Sequence, residues 1–158
     1  MKTLFILASV MVVLFLAAPN KVEAQKRPEL PAKLEAYEGK DPDHFMKLPA
    51  VRARLRTLLG TYYNDFTQRI YLHQGEFKRN GQFLSVEGQM PHNGFSEVAI
   101  LIIDLKTRTL HCGIFSDGSV GFNKQPKKKK SGLLKFSETP AKMPDVLTNW
   151  SPPPYPFP

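Results

Sequence analysis

The connection Gln89–Phe95 holds the histidine with the clearest opportunity for chemistry. It reads Gln-Met-Pro-His-Asn-Gly-Phe, so His92 lies between a proline and an Asn-Gly pair. Proline fixes φ, and asparagine and glycine favour turns, so the pattern predicts a loop tip rather than a core position. An imidazole presented there can accept one hydrogen bond and donate another. An ordinary hairpin turn with a solvent-exposed histidine would show the same pattern.

A second set of residues offers electrostatic chemistry. The segment 124–130, KQPKKKK, carries five lysines and a proline without apolar periodicity, which predicts a loop. The whole chain has 22 basic and 14 acidic residues, a formal charge of +8. The loop is therefore either a solubilising segment or a site for anionic lipid headgroups or acidic glycans. Aromatic residues interleave poorly with these lysines, which argues against a nucleic-acid surface. The lysines concerned are Lys124, Lys127, Lys128, Lys129 and Lys130.

The side chains that enzymes use are present, but without a recognisable catalytic pattern. The candidates are three histidines, three aspartates, two serines and one cysteine: His73, His92, His111, Asp65, Asp104, Asp117, Ser85, Ser96 and Cys112. None of the three possible nucleophiles has a context such as Gly-x-Ser-x-Gly. His111 and Asp104 flank one predicted hairpin and could simply form a cross-strand pair. We expect no catalytic residues.

Metal and cofactor sites are also not expected. No His-x-x-x-His pair occurs, and one cysteine excludes every multi-thiolate metal site and any internal disulfide. Cys112 is expected to be a small buried hydrophobe.

Residues 1–24 match the pattern of a signal peptide. Lys2 precedes an apolar run of 15 residues, 4–18, and Val22-Glu23-Ala24 precedes an expected cut at Gln25. The run is shorter than the roughly 20 residues that a membrane-spanning helix needs. We therefore expect an exported protein, periplasmic or secreted, with no transmembrane span in the mature chain.

The remaining length suits one domain. Residues 25–42 contain three prolines among charges and are expected to form a loose arm. Residues 43–150 form the expected domain. Residues 151–158, SPPPYPFP, are expected to be a polyproline or disordered tail.

Helical periodicity is clearest over 48–60, where the apolar residues form one stripe. Arg52, Arg54 and Arg56 lie off that stripe and are expected to be solvated. Shorter helical turns are expected at Ala32–Tyr37, after an Asp41 or Asp43 cap, and within 139–150 from Pro144 onward.

Alternating or continuous apolar patterns predict the strands. The predicted segments are Gln68–Gln74, Gln82–Gly88, Glu97–Leu105, Thr109–Phe115, Ser119–Phe122 and Gly132–Phe136. Gly75–Gly81 is expected to be a polar connector with a turn at Asn80-Gly81. The fold class is therefore predicted to be α+β, with an antiparallel sheet of about five strands and a helix packed on one face.

The stretch GQMPHNGFSEVAILIIDLKTRTLHCGIFSD resembles the inhibitor of vertebrate lysozyme (Ivy) family. The hallmark of that family is a loop Cys-Lys-Pro-His-Asp-Cys followed by an apolar strand and a hairpin. Pro91 and His92 match the loop, whereas Gln89 and Gly94 stand where the cysteines would be. Met90 and Asn93 replace its lysine and aspartate. The resemblance covers 83–118 well and 48–75 loosely.

The resemblance implies a periplasmic protein that is not an enzyme and that blocks the cleft of a c-type lysozyme. The partner-binding residues would be Met90, Pro91, His92, Asn93 and Gly94. The missing disulfide would leave the loop less restricted, and the basic charge would slow association with a basic lysozyme. An alternative is a basic envelope protein that docks on anionic lipids or glycans through its lysine-rich loop, without inhibitory activity.

Overall fold

The sheet is an antiparallel meander whose strands follow the order of the chain. In the computed structural model, which describes residues 27–72, 75–90, 97–116 and 132–152, this sheet has five strands. They are β1 (Lys78–Asn80), β2 (Phe83–Gln89), β3 (Glu97–Asp104), β4 (Thr109–Ser116) and β5 (Gly132–Ser137). Every residue of the central β3 is buried, as its continuous apolar sequence predicts. The predicted α+β class is confirmed.

Four α-helices accompany the sheet in the described part of the chain. They are α1 (Pro42–Lys47), α2 (Pro49–Leu59), α3 (Tyr63–Leu72) and α4 (Asp145–Thr148), with short 3-10 turns at Leu34–Tyr37, Gly60–Tyr62 and Pro140–Lys142. The predicted cap is confirmed, because the side chain of Asp41 accepts a hydrogen bond from the amide of Asp43 at 2.7 Å. No helix within the described ranges is long and apolar enough to cross a membrane.

The strand predicted over Gln68–Gln74 is wrong, because residues 68–72 belong to α3. Ile70 and Leu72 alternate with polar residues, and this short window imitates a strand. The buried positions Phe66 and Ile70 are instead four residues apart, and Leu72 is 51% exposed. In the helix Phe66 and Ile70 share the buried face, whereas Leu72 lies about 200° around the helix axis from Ile70 and is exposed. Residues 73 and 74 lie outside the described ranges.

The first strand lies where a polar connector was expected. Lys78–Asn80 forms β1, and its three residues are exposed, so no apolar alternation marked it. Asn80 pairs with Phe83 across the turn predicted at Asn80-Gly81. The connector prediction is wrong for these three residues, whereas the turn prediction is confirmed. The predicted strand Ser119–Phe122 lies outside the described ranges.

The two faces of the sheet carry separate apolar clusters. Helices α1, α2 and α3 cover one face, where Phe45, Leu55 and Phe66 are among the fully buried side chains. On the other face Leu147 and Trp150 pack against Val98, Ile100 and Ile102. Val146 packs half-buried against the same cluster, so the helical turn predicted after Pro144 contributes to the core on this face.

The segment before α1 packs against the domain. Leu30 and Leu34, within the predicted arm, are 4% and 1% exposed. The guanidinium of Arg108, in the β3–β4 turn, donates hydrogen bonds to the carbonyls of Leu30 and Pro31 at 2.6 and 2.8 Å. These contacts hold the backbone of residues 30 and 31 against the hairpin.

Arg54 is buried, so its predicted solvation is wrong. Its Nε donates to Glu138 Oε1 at 2.8 Å, and its Nη2 forms an ion pair with Glu138 Oε2. Arg54 lies two residues, and therefore about 200°, from each of its neighbours Arg52 and Arg56 around the helix. Both neighbours are exposed, as predicted.

Candidate functional site

The predicted binding loop is the connection between β2 and β3, and its two ends are held together. Gln89 pairs with Val98, and the Met90 amide donates to the Glu97 carbonyl at 3.0 Å, one step beyond the ladder. Pro91, His92, Asn93 and Gly94 fall in the stretch 91–96 between these ends, which lies outside the described residues. Of the predicted loop residues, the structure describes Met90, which is half-buried.

Glu97 anchors one end of this connection through its side chain. It is the first residue of β3, and it is 3% exposed. Its Oε2 forms an ion pair with Arg69 of α3, and its Oε1 accepts a hydrogen bond from Ser116 Oγ at 2.5 Å. A buried carboxylate needs such partners, because taking an unpaired charge out of water is costly.

Arg69 provides the positive charge from the helical layer. It is 0% exposed, although it lies on a helix that also presents polar residues to solvent. Its Nη1 contacts Asp65 Oδ2 at 2.7 Å and donates to the Asp65 carbonyl at 3.1 Å. The guanidinium therefore joins Asp65, one turn earlier on α3, to Glu97 at the start of β3.

The absence of a side chain at position 88 of β2 allows Arg69 to lie this close to the sheet. A Cβ at Gly88 would lie 2.3 Å from the Arg69 carbonyl oxygen and 2.6 Å from Ile70 Cα. Both atoms belong to the backbone of α3, so a side chain could be accommodated only by moving the helix. Gly88 therefore fixes the separation between α3 and β2 just before the connection begins.

Ser116 lies between the Arg69–Glu97 ion pair and the lysine-rich segment, which is the second predicted site. It is the last residue of β4 and pairs with Glu97 across the sheet. Residues 117–131 follow it, and they include all five lysines of the predicted anionic-surface site, Lys124, Lys127, Lys128, Lys129 and Lys130. These lysines lie outside the described residues. The strand register nevertheless shows that the β2–β3 connection and the segment 117–131 both leave the sheet at the same end.

His111 is the one histidine of the candidate catalytic set within the described ranges. It is 1% exposed, its Nδ1 lies 2.8 Å from Ser137 Oγ, and its Nε2 lies 3.1 Å from Thr109 Oγ1. Burial lowers its pKa, while the charges of Asp104 and Glu138 act in the opposite direction. Because its imidazole is buried and held between two hydroxyls, His111 has a structural role in the sheet.

His111 and Asp104 are not directly opposite each other, so the cross-strand pair considered for them does not form. His111 lies opposite Ile102, and Asp104 lies opposite Thr109. The carboxylate of Asp104 instead accepts hydrogen bonds from the amides of Lys106 and Thr107 at 2.8 and 3.0 Å in the following turn. An aspartate at the start of a turn commonly makes these backbone hydrogen bonds.

Of the other candidate side chains that the structure describes, Asp65, Ser85 and Cys112 do not assemble around His111. Asp65 contacts Arg69, and Ser85 is half-buried on β2. Cys112 is fully buried, as predicted, and burial raises the pKa of its thiol well above the usual value. His73, Ser96 and Asp117 lie outside the described ranges. Among the described residues, no group of three or more histidine, cysteine, aspartate or glutamate side chains could hold a metal ion.

The Arg69–Glu97–Ser116 cluster was not predicted from the sequence. Arginine and glutamate are normally exposed, so neither residue type suggests burial. The available signal was the position of Glu97 directly before an unbroken apolar strand, where a charge must be either solvated or paired.

Comparison with protein families gives one match. The model of the family described as inhibitor of vertebrate lysozyme (Ivy) matches residues 50–153, which are 104 of the 158 residues. The matched region runs from α2 past α4 and contains the β2–β3 connection and the buried cluster beside it. No curated protein and no solved structure matches the chain.

Proposed function

Since the chain belongs to the inhibitor of vertebrate lysozyme family, we propose that it inserts the β2–β3 connection into the cleft of a lysozyme-type glycosidase. Membership in that family makes it a lysozyme-inhibitor-like binding protein with a lysozyme as partner, in a family of inhibitors rather than enzymes. The family match over residues 50–153 is the observation that carries the proposal.

His92 is the residue that we propose to enter the cleft. Glycosidases of this class use one protonated and one ionised carboxyl group. A neutral imidazole can accept a hydrogen bond from the first and donate one to the second, so it complements both at once. Pro91 restricts the backbone before the histidine, and Met90, Asn93 and Gly94 complete the binding segment. No bond is made or broken, and inhibition follows from exclusion of the substrate.

The fixed ends of the connection support this role. A segment that is ordered before binding loses less conformational freedom when it binds. The hydrogen bond between Met90 and Glu97 and the strand pairing below it restrict the two ends to one register. The two ends of the connection therefore lose little further conformational freedom on binding.

The charge of the chain favours a second candidate function. Cleavage after Ala24 would remove Lys2, Lys21 and Glu23 and change the formal charge from +8 to +7, which opposes association with a basic lysozyme and favours anionic surfaces. Under this alternative the lysines 124–130 dock on anionic lipids or glycans, and the family fold serves as a scaffold. Both functions require export, which we propose occurs through cleavage after Ala24.

The test of inhibition uses the mature chain, residues 25–158, with a c-type lysozyme and a bacterial cell-wall substrate. The proposal predicts that lysozyme activity falls in a saturable, concentration-dependent manner. An unchanged rate at high molar excess would reject it. The alternative predicts binding to vesicles containing an anionic phospholipid, with a steep loss between low and moderate salt. Binding that does not depend on salt would reject the alternative.

A further inference from the structure

We propose that Arg69, Glu97 and Ser116 are positioning residues that hold the two described ends of the β2–β3 connection, Met90 and Glu97, in the register that partner binding requires. This inference rests on the proposed function, because it assigns these residues a role in partner binding beyond that of stabilising the fold. The three side chains belong to α3, the start of β3 and the end of β4. They therefore tie the base of the connection to two other elements of the domain.

The position of Glu97 is the first argument. Its backbone carbonyl accepts the hydrogen bond from Met90, and its carboxylate binds Arg69 and Ser116. One residue thus closes the connection through its main chain and anchors it through its side chain. A shift of Glu97 caused by a change in its side-chain contacts would also move its carbonyl oxygen, which accepts the hydrogen bond from Met90.

The lack of a covalent alternative is the second argument. Cys112 is the chain's single cysteine and is buried within β4, so no disulfide within the chain can restrain the connection. The restraint on its ends must be non-covalent. The ion pair at Glu97 supplies that restraint, because charge-assisted hydrogen bonds are stronger than neutral ones.

The third argument concerns the free-energy cost of burying the Arg69–Glu97 ion pair. Buried ion pairs often add little stability compared with apolar residues of similar size, since desolvation offsets their attraction. They can instead specify one arrangement over others. Arg69 also has a buried Nε that finds no hydrogen-bond partner among the described residues, which adds to the cost. The buried ion pair is therefore better explained by a need to fix the position of Glu97 than by a need to stabilise the fold.

A second buried pair provides a matched control. Arg54 and Glu138 are 6% and 7% exposed, compared with 0% and 3% for Arg69 and Glu97. The two pairs are alike in residue types and nearly alike in burial. Glu138 accepts from the Leu110 amide at 2.8 Å, at the opposite end of β4 from Ser116. The control pair therefore tests the fold without touching the connection.

The experiment compares Glu97→Gln with Glu138→Gln in the chain 25–158. Each variant keeps the shape of the side chain and removes its charge. The first readout is amide hydrogen exchange at Met90, which does not depend on any partner. We expect Glu97→Gln to accelerate this exchange at least tenfold more than Glu138→Gln, after correction for the global stability of each variant.

The second readout is the inhibition constant against lysozyme. We expect about a tenfold loss for Glu97→Gln and less than a twofold change for Glu138→Gln. Equal losses in both variants, or equal exchange at Met90, would overturn the positioning role. If the wild-type chain does not inhibit, the proposed function fails, while the exchange data still decide whether the cluster holds the connection.

A milder pair of variants covers the case in which Glu97→Gln does not fold. Ser116→Ala removes the hydrogen bond to Glu97. Ser137→Ala removes the hydrogen bond with His111 and the one that Ser137 Oγ accepts from the Thr139 amide at 3.0 Å, so it disturbs the fold at least as much. The two serines are 7% and 8% exposed. We expect Ser116→Ala alone to accelerate exchange at Met90. Identical exchange in the two serine variants would contradict the inference.

Discussion

The indole of Trp150 packs directly on Gly113. A Cβ at position 113 would lie 2.5 Å from Trp150 Cζ3 and 2.9 Å from Ile100 Cγ2. Trp150 Nε1 also donates to Glu87 Oε1 at 2.8 Å, so the ring is held at both its apolar and its polar edge. This contact attaches the segment after β5 to the face of the sheet that α1, α2 and α3 leave uncovered.

We expect Gly113→Ala to destabilise the protein by about 1–3 kcal/mol, because overpacking a close contact forces neighbouring groups to move. Urea unfolding followed by circular dichroism would measure this. The matched test is Trp150→Leu in the same background, which removes the ring that the new methyl group meets. The double variant should lose less stability than the two single losses added together. Simple additivity would contradict the contact.

We expect Arg54→Met to destabilise the protein by about 3–5 kcal/mol, because it leaves the buried carboxylate of Glu138 without its ion-pair partner. Arg56→Met is the control, since it places the same substitution on an exposed position of α2. The control loses the cation–π contact of its guanidinium, which lies 5.2 Å from the centroid of the Tyr63 ring, and should change stability by about 1 kcal/mol or less. Similar thermal unfolding of the two variants would show that Arg54 is solvated after all.

We expect His111 to make the folded state less stable in acid. Burial lowers its pKa in the folded state, so the unfolded chain binds the proton more readily. The stability from neutral His111 is complete above its unfolded pKa of about 6.5 and is lost as the pH falls through the lowered folded value. Urea unfolding at pH 7.5 and pH 5 would measure the difference.

His111→Gln should reduce that pH dependence, because glutamine does not titrate. The control is His44→Gln, which makes the same substitution at an exposed histidine on α1. An unaltered slope in His111→Gln would mean that other groups cause the acid sensitivity.

Long periodic segments made the fold class predictable. The apolar stripe of α2 and the continuous apolar run of β3 each extend over at least eight residues, and both predictions hold. The prediction over Gln68–Gln74 failed because a seven-residue window cannot separate a helix from a strand when two apolar residues alternate. Strand β1 was not predicted, because its three residues are exposed and show no apolar pattern.

Buried charges were not predictable because each depends on a partner distant in sequence. Arg69 and Glu97 are 28 residues apart, and Arg54 and Glu138 are 84 apart. Without the pairing of helices and strands, each of these residues reads as solvent-exposed. The role of His92 and of its neighbours stays a prediction based on loop composition and on the family resemblance.

The most direct test of the central claim is the inhibition of a c-type lysozyme by wild-type chain 25–158, by His92→Ala and by His44→Ala. The account predicts that His92→Ala weakens inhibition by about 30-fold, or about 2 kcal/mol, as for a central residue of an interface. His44→Ala should match the wild type, and both variants should unfold at the wild-type temperature. Equal inhibition by His92→Ala and the wild type would contradict the claim that the loop histidine blocks the cleft.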